Sequence, residues 1–194
     1  MVKRKTLRLA LALLLALCLN MAGDRGAGAR AEGDLDGDGS PETYSLTGHR
    51  LTVEEGGRIL WRSGRDWRVD GFALGDIDND GTGELLLSLW KTGSYGALKP
   101  FWHTGEDVSY KNHLFVFRLA EDTLRPKWCS SDLPRPIVSF SVRDQDGDGL
   151  NELITEEGEY RKVRGERYEL DTGKPVRTAV WQWEGWGFYG VEME

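Results

Sequence analysis

Three short stretches of the chain concentrate carboxylates in one pattern: "DLDGDGSPE" from Asp34, "DIDNDGTGE" from Asp76 and "DQDGDGLNE" from Asp144. Counted from the first aspartate, acids fall at positions 1, 3, 5 and 9 and glycine at position 6 in all three. Carboxylates this close repel one another unless a cation neutralises them. A hard divalent ion does so, and calcium accepts roughly six to eight oxygens at flexible geometry. The glycines at position 6 (Gly39, Gly81, Gly149) permit the sharp turn that points alternate side chains inward. The backbone carbonyl at position 7 (Ser40, Thr82, Leu150) is a further candidate ligand. The alternative for one such stretch on its own is a solvated Asp-Gly turn. Three in one register, each entering a strand, point to the ion.

The end of the loop decides its class. A helix-loop-helix calcium site requires a bidentate glutamate at position 12. Position 12 here is Ser45, Leu87 and Thr155, whereas position 9 is Glu42, Glu84 and Glu152. The spacing therefore places the ion in a turn between two strands.

The elements that must hold these loops repeat with them. Apolar stretches lead into the second and third loops ("VDGFALG", "IVSFSVR"), and strand-like stretches follow all three ("TYSLT", "LLLSL", "LITEE"). Period-two alternation bounded by Gly, Asp and Ser marks strands. Hairpins are predicted in "RLTVEEGGRILWRS", in "NHLFVFRLAEDTLRPKW" and in "ERYELDTGKPVRTAVWQW", the last turning at Thr172 and Gly173. Alternating segments close on Trp61, on Trp128, and on Trp181 with Trp183. Each unit reads as loop, strand, strand, strand, then a strand running into the next loop. The closing "GFYGVEME" echoes "GFALGDID". The units span approximately residues 34–75, 76–143 and 144–194. The expected fold is all-β, a propeller-like array of about three four-stranded antiparallel blades. Typical propellers close with about four to eight blades. The alternatives are an unusually small ring, an open arc, or closure by oligomerisation with a second copy as a homodimer, which would cover apolar faces and edges.

"ALGDIDNDGTGELLLSL" and "SVRDQDGDGLNELITEE" resemble the FG-GAP or VCBS repeats of integrin-type β-propellers, in which a calcium loop joins two strands at a blade edge. The resemblance covers essentially all of residues 32–194. It implies Ca2+ at Asp34, Asp36, Asp38 and Glu42, at Asp76, Asp78, Asp80 and Glu84, and at Asp144, Asp146, Asp148 and Glu152. The full Phe-Gly and Gly-Ala-Pro signature is absent, with only Gly71-Phe72 and Gly187-Phe188 similar to it. The first loop is read as following the leader with no strand before it.

The first residues carry Lys3, Arg4, Lys5 and Arg8, then an apolar run from Leu9 to Leu19, then small residues to Ala31. That order is a secretory signal peptide over residues 1–31, with cleavage after Ala31 or, alternatively, nearer Ala22. The run is shorter than the roughly 20 residues of a membrane span, so no stable span is expected after cleavage. Leu17 ahead of Cys18 departs from the small residue that a lipoprotein signal has there. Cleavage after Ala31 removes six of the 25 Lys and Arg and one of the 32 acids, which leaves a net charge of −12. So acidic a chain repels phosphate backbones, which argues against nucleic acid as a partner. The sequence thus reads as a secreted or cell-envelope protein of one domain. Its lone mature thiol, Cys129, is expected to be buried, the alternative being a bond between chains.

Residues 91–112, "KTGSYGALKPFWHTGEDVSYKN", break the repeat. Tyr95, Phe101, Trp102 and Tyr110 are candidate ligand-binding residues there, able to stack on sugar rings or anchor a protein partner. A catalytic reading takes His103 as base, oriented by Glu106 or Asp107, but no Ser-x-x-Lys or Gly-x-Ser-x-Gly nucleophile accompanies it. The aromatic tail "WQWEGWGFYG" reads as strand core. Three functions follow in order: a calcium-binding module that recognises a protein or cell-surface glycan, a hydrolytic enzyme using the His103 loop, and a structural envelope domain. Fold alone does not separate them.

Overall fold

The computed structural model describes residues 28–95, 101 and 104–191. The charged and apolar leader falls outside them. The described residues form fourteen strands and no helix.

β1 (Ala29–Gly33), β2 (Glu42–Thr47), β3 (Arg50–Glu55) and β4 (Arg58–Arg62) make the first sheet, in chain order. β5 (Arg68–Gly75), β6 (Glu84–Thr92), β7 (Tyr110–Ala120) and β8 (Thr123–Cys129) make the core of the middle sheet. β9 (Ile137–Arg143) and β10 (Glu152–Glu157) begin the third sheet. The chain then leaves it for a hairpin of β11 (Tyr160–Arg164) and β12 (Arg167–Leu170), and returns with β13 (Arg177–Glu184) and β14 (Gly187–Val191). In all three sheets a carboxylate loop joins the first strand to the second. The first and middle sheets thus group the strand before a loop with the three after it, one strand earlier than the sequence repeats suggest, while the third sheet skips β11 and β12.

Three expectations need correction. β1 precedes the first loop and pairs with β2 from Ala29↔Leu46 to Gly33↔Glu42, so that loop does have an entering strand. Cleavage after Ala31 would cut β1 in two, whereas cleavage near Ala22 would spare it. The third predicted hairpin does not form: β12 pairs with β11 and, in parallel, with β7 at Arg167↔Tyr110, while β13 pairs with β10 and β14. Alternation identified both strands but carries no information about partners. The middle sheet consequently has six strands instead of four. Cys129, expected inside, is exposed at the end of β8. The other two hairpins form as the sequence indicates.

The sheets stack in three layers. Tyr44, Leu51 and Val53 of the first sheet pack against Leu85, Leu87, Leu89, Phe115 and Phe117 of the middle one. On the opposite face, Leu86, Leu114 and Val116 pack against Ile137, Val142 and Leu153 of the third. β6 is buried on both faces from Glu84 to Lys91, which is why its sequence is a continuous apolar run rather than an alternating one. Burial of this apolar surface is the main favourable term holding the layers together.

The outer face of the first sheet is polar, and that of the third sheet mixes polar positions with Ile154 and Val180. On the outer face of the first sheet, register places Arg30 and Glu32 beside Thr43 and Ser45, with Thr52 and Glu54 across from them. On the third sheet the positions corresponding to Leu46 and Leu51 hold Glu156 and Thr178, and Val180 corresponds to Val53.

Candidate metal centres

The three loops fold alike because the side chains at positions 1 and 9 bond the loop's own backbone in each, the position 1 carboxylate reaching positions 4 and 6 in the first and third loops and positions 5 and 6 in the second. The carboxylate at position 1 accepts two N–H groups from the turn. Asp34 takes those of Gly37 (2.8 Å) and Gly39 (2.9 Å), Asp76 those of Asp80 (3.1 Å) and Gly81 (2.8 Å), and Asp144 those of Gly147 (2.6 Å) and Gly149 (3.0 Å). Position 6 has φ of 92°, 87° and 92° at Gly39, Gly81 and Gly149, the left-handed region that glycine enters without strain. Position 4 is left-handed as well, at Gly37, Asn79 and Gly147, a requirement the sequence pattern did not single out.

The glutamate at position 9 reaches back along the loop. Its Oε2 accepts the N–H of position 2: Leu35 at 3.0 Å for Glu42, Ile77 at 3.1 Å for Glu84, and Gln145 at 2.8 Å for Glu152. All three glutamates are buried, with exposures of 0%, 0% and 2%. One carboxylate oxygen from each of positions 1, 3 and 9 converges within 4.8 Å in each loop: Asp34, Asp36 and Glu42; Asp76, Asp78 and Glu84; Asp144, Asp146 and Glu152. These clusters could hold a metal ion. Asp38, Asp80 and Asp148 at position 5 lie outside them, and each instead accepts the N–H two residues on, at 2.7, 2.9 and 2.8 Å.

The donor set fits a hard cation. Among the described residues, the buried side-chain oxygens without a partner are Glu42 Oε1, Glu55 Oε1 and Asp78 Oδ1. Two of the three belong to the clusters. Leaving a buried carboxylate oxygen unpaired is costly, and a cation removes that cost. Burial pushes the carboxyl of Glu42 above its ordinary range, outweighing the hydrogen bonds from Leu35 and Tyr44. It does the same to Glu84 despite the hydrogen bond from Lys127.

The loops lie side by side. Asn151 donates its backbone N–H to Asn79 Oδ1 (2.7 Å) and its side-chain amide to the Asp76 carbonyl (2.8 Å), tying the third loop to the second. A Cβ on Gly83 would come within 2.5 Å of Leu35 Cδ2, so glycine there lets the first loop close on the second.

The insert between β6 and β7 is built differently. Asp107, considered above as an orienter for a catalytic histidine, accepts the backbone N–H groups of Ser94 (2.7 Å) and Tyr95 (2.8 Å) and so closes the base of the insert. Glu106 is exposed. Trp102 and His103 lie outside the described residues. Phe101 is 93% exposed and Tyr95 38%. Tyr110 begins β7, stacks on Trp90 at 6.0 Å and lies under Arg167 at 4.1 Å, so it packs the β12 junction. A group the sequence did not flag sits below: Asp132 accepts hydrogen bonds from Ser94 and Ser109 and faces the buried His113 Nε2 at 3.4 Å. Trp183 packs on Trp128 and Phe188, with ring centroids 6.4 and 5.2 Å away, whereas Trp186 and Tyr189 of the same aromatic tail are exposed, so only part of it is strand core.

Comparison with known protein families, curated proteins and solved structures returns no match for this chain.

Proposed function

We propose that the protein is an exported, calcium-stabilised module of propeller-like β-sheets that acts by binding, with a protein or a cell-surface glycan as partner. The observation that carries the metal reading is the converging trio of carboxylates in each loop, with Glu42 fully buried and one of its oxygens unpaired. Positions 1, 3 and 9 of the loops would hold the ion. Calcium would supply positive charge where the fold has gathered negative charge, and would fix the turn between the first two strands of a sheet. The remaining work belongs to the chain's own residues. The position 1 aspartates organise the turn, and the position 9 glutamates draw the loop back onto its strand.

The binding reading is supported by the insert, a segment outside the repeat whose base is stapled by Asp107 and Asp132 and which displays Phe101 to solvent. Loops held by a rigid scaffold are favoured sites of recognition. The metal reading is tested by thermal unfolding in calcium and in chelator: a lower melting temperature in chelator is expected, and equal values would refute it. The binding reading is tested on a glycan array and by partner capture, in which Phe101→Ala lowers the signal without changing the melting temperature.

A further inference from the structure

The three loops share a backbone, but they do not share surroundings. Lys127 Nζ, on β8, enters the second loop, where it bonds Asp78, meets Glu84 Oε1 at 2.7 Å and lies 3.7 Å from Asp80. Arg118 adds a second cation, 3.3 Å from Asp80 and 3.1 Å from Thr82 Oγ1. Among the described residues, no Lys or Arg pairs with the carboxylates of the first or third loop.

The difference has a structural origin. Val116 pairs with Trp128 and Phe117 with Pro126, so Lys127 is the extra residue of a β-bulge. Bulges re-aim side chains, and this one sends Lys127 toward the loop, with its Nζ 5.9 Å from the Trp183 ring. The first sheet has the same bulge: Val53 pairs with Trp61 and Glu54 with Ile59, which makes Leu60 the extra residue. Leu60 packs into the core and brings no charge. No such shift interrupts the pairing of β13 with β14. The strand position across from the loop glutamate differs too. Continuing the registers puts Glu55 opposite Glu42, Arg118 opposite Glu84 and Gln182 opposite Glu152. Gln182 Nε2 indeed donates to Glu152 Oε1 at 3.3 Å.

We propose that the ammonium group of Lys127 is the resident cation of the second loop, so that wild-type protein binds calcium at the first and third loops only. The inference rests on the calcium reading above and adds to it a stoichiometry and a reason. The ammonium is hydrogen-bonded to two of the three clustered carboxylates, Asp78 and Glu84, and a divalent ion entering there would face Lys127 and Arg118 at close range. The first loop has no such cation: Glu42 Oε1 is unpaired there, as Asp78 Oδ1 is in the second loop, and Glu55, 3.5 Å from Arg58, stands on the adjacent strand. The first loop is therefore the tighter of the two open sites.

Calcium is counted per chain by calorimetric titration of the full chain. Wild type should bind two ions, Lys127→Met should bind three, and Asp78→Asn in the Lys127→Met background should return the count to two. Asp78→Asn in wild type should leave two, whereas Asp36→Asn should remove one. Lanthanide emission excited through tryptophan gives a second readout, because the Trp183 ring lies 5.9 Å from Lys127 Nζ: the signal at saturation should rise in Lys127→Met. Three ions in wild type, an unchanged count in Lys127→Met, or loss of an ion on Asp78→Asn in wild type overturns the proposal while leaving the calcium reading intact. No ion bound by wild type or by any variant refutes the calcium reading itself, and this inference with it.

Discussion

The first and middle sheets are built to one plan, and they solve opposite problems. Both run strand, loop, strand, strand, strand, with the same aspartate clamp and the same back-bonded glutamate. The middle sheet is covered on both faces and carries a cation of its own in its loop. The first is covered on one face, and its loop glutamate stands across from another acid. The residues that set the backbone are thus the ones that repeat. Those that set the environment lie on neighbouring strands and are free to diverge.

The sharpest test of that contrast is in the cores. Leu87→Ala, in the layer buried on both sides, should cost about 3 kcal/mol in denaturant unfolding, while Ser45→Ala on the exposed face of the first sheet should stay within about 0.5 kcal/mol. Similar costs at the two positions would mean that the layers do not stack as described. Next come the ions. If the affinities are on the order of 0.1 to 1 mM, about 10 mM calcium should stabilise the fold by roughly 1.4 to 2.7 kcal/mol per open site. That corresponds to an upward shift on the order of 3 to 10 °C in melting temperature per site.

The glutamates should then behave in opposite ways. Glu84→Gln leaves Lys127 without its fully buried partner and should destabilise the protein by about 1 to 3 kcal/mol with or without calcium. Glu42→Gln removes a buried charge that has an unpaired oxygen, so it should leave the calcium-free protein near wild-type stability while abolishing one ion's share of the calcium effect. Equal behaviour of the two variants would erase the distinction between the loops.

The smallest effect concerns a site away from both loops. Burial, with a further push from Lys91, lowers the pKa of His113, against the attraction of Asp132. The unfolded chain then binds a proton that the folded chain resists. Stability present at neutral pH is lost as pH falls through about 6.5 toward the lowered folded value. The melting temperature should therefore drop modestly between pH 7.5 and 5.5, and the drop should be smaller in His113→Asn. The raised carboxyls of Glu42 and Glu84 act in the opposite direction, which is why the difference between variant and wild type, rather than the slope itself, is the readout.

Much of this was legible in the sequence. The spacing of Asp34, Asp76 and Asp144 with their glycines and glutamates located the loops, because those residues bond the loop's own backbone and need no distant partner. The strands were visible for a similar reason, as alternation is local. Pairing was not. Nothing in "ERYELDTG" shows that β12 joins β7 across the fold, and nothing before Asp34 has the apolar alternation that would mark β1. Lys127 sits in between. Aligning "RPKW" with "RILW" sets a lysine against Leu60, but only the bulge reveals that this residue faces the loop. Asp107 looked like a catalytic partner by proximity in sequence, and its two backbone hydrogen bonds show a different task.

The outer face of the third sheet carries a consequence for how such a chain grows. A stack of like layers has no intrinsic length, since each new face can receive another. Here Glu156 and Thr178 stand where the first sheet places Leu46 and Leu51, while Ile154 and Val180 keep the apolar character of Tyr44 and Val53, so this face is closed to a further layer at those two polar positions only. Two or three substitutions on one strand pair would reopen the series. The number of layers is therefore written in a handful of surface side chains rather than in the repeat, and duplication of a unit could lengthen the protein without redesigning any of its cores.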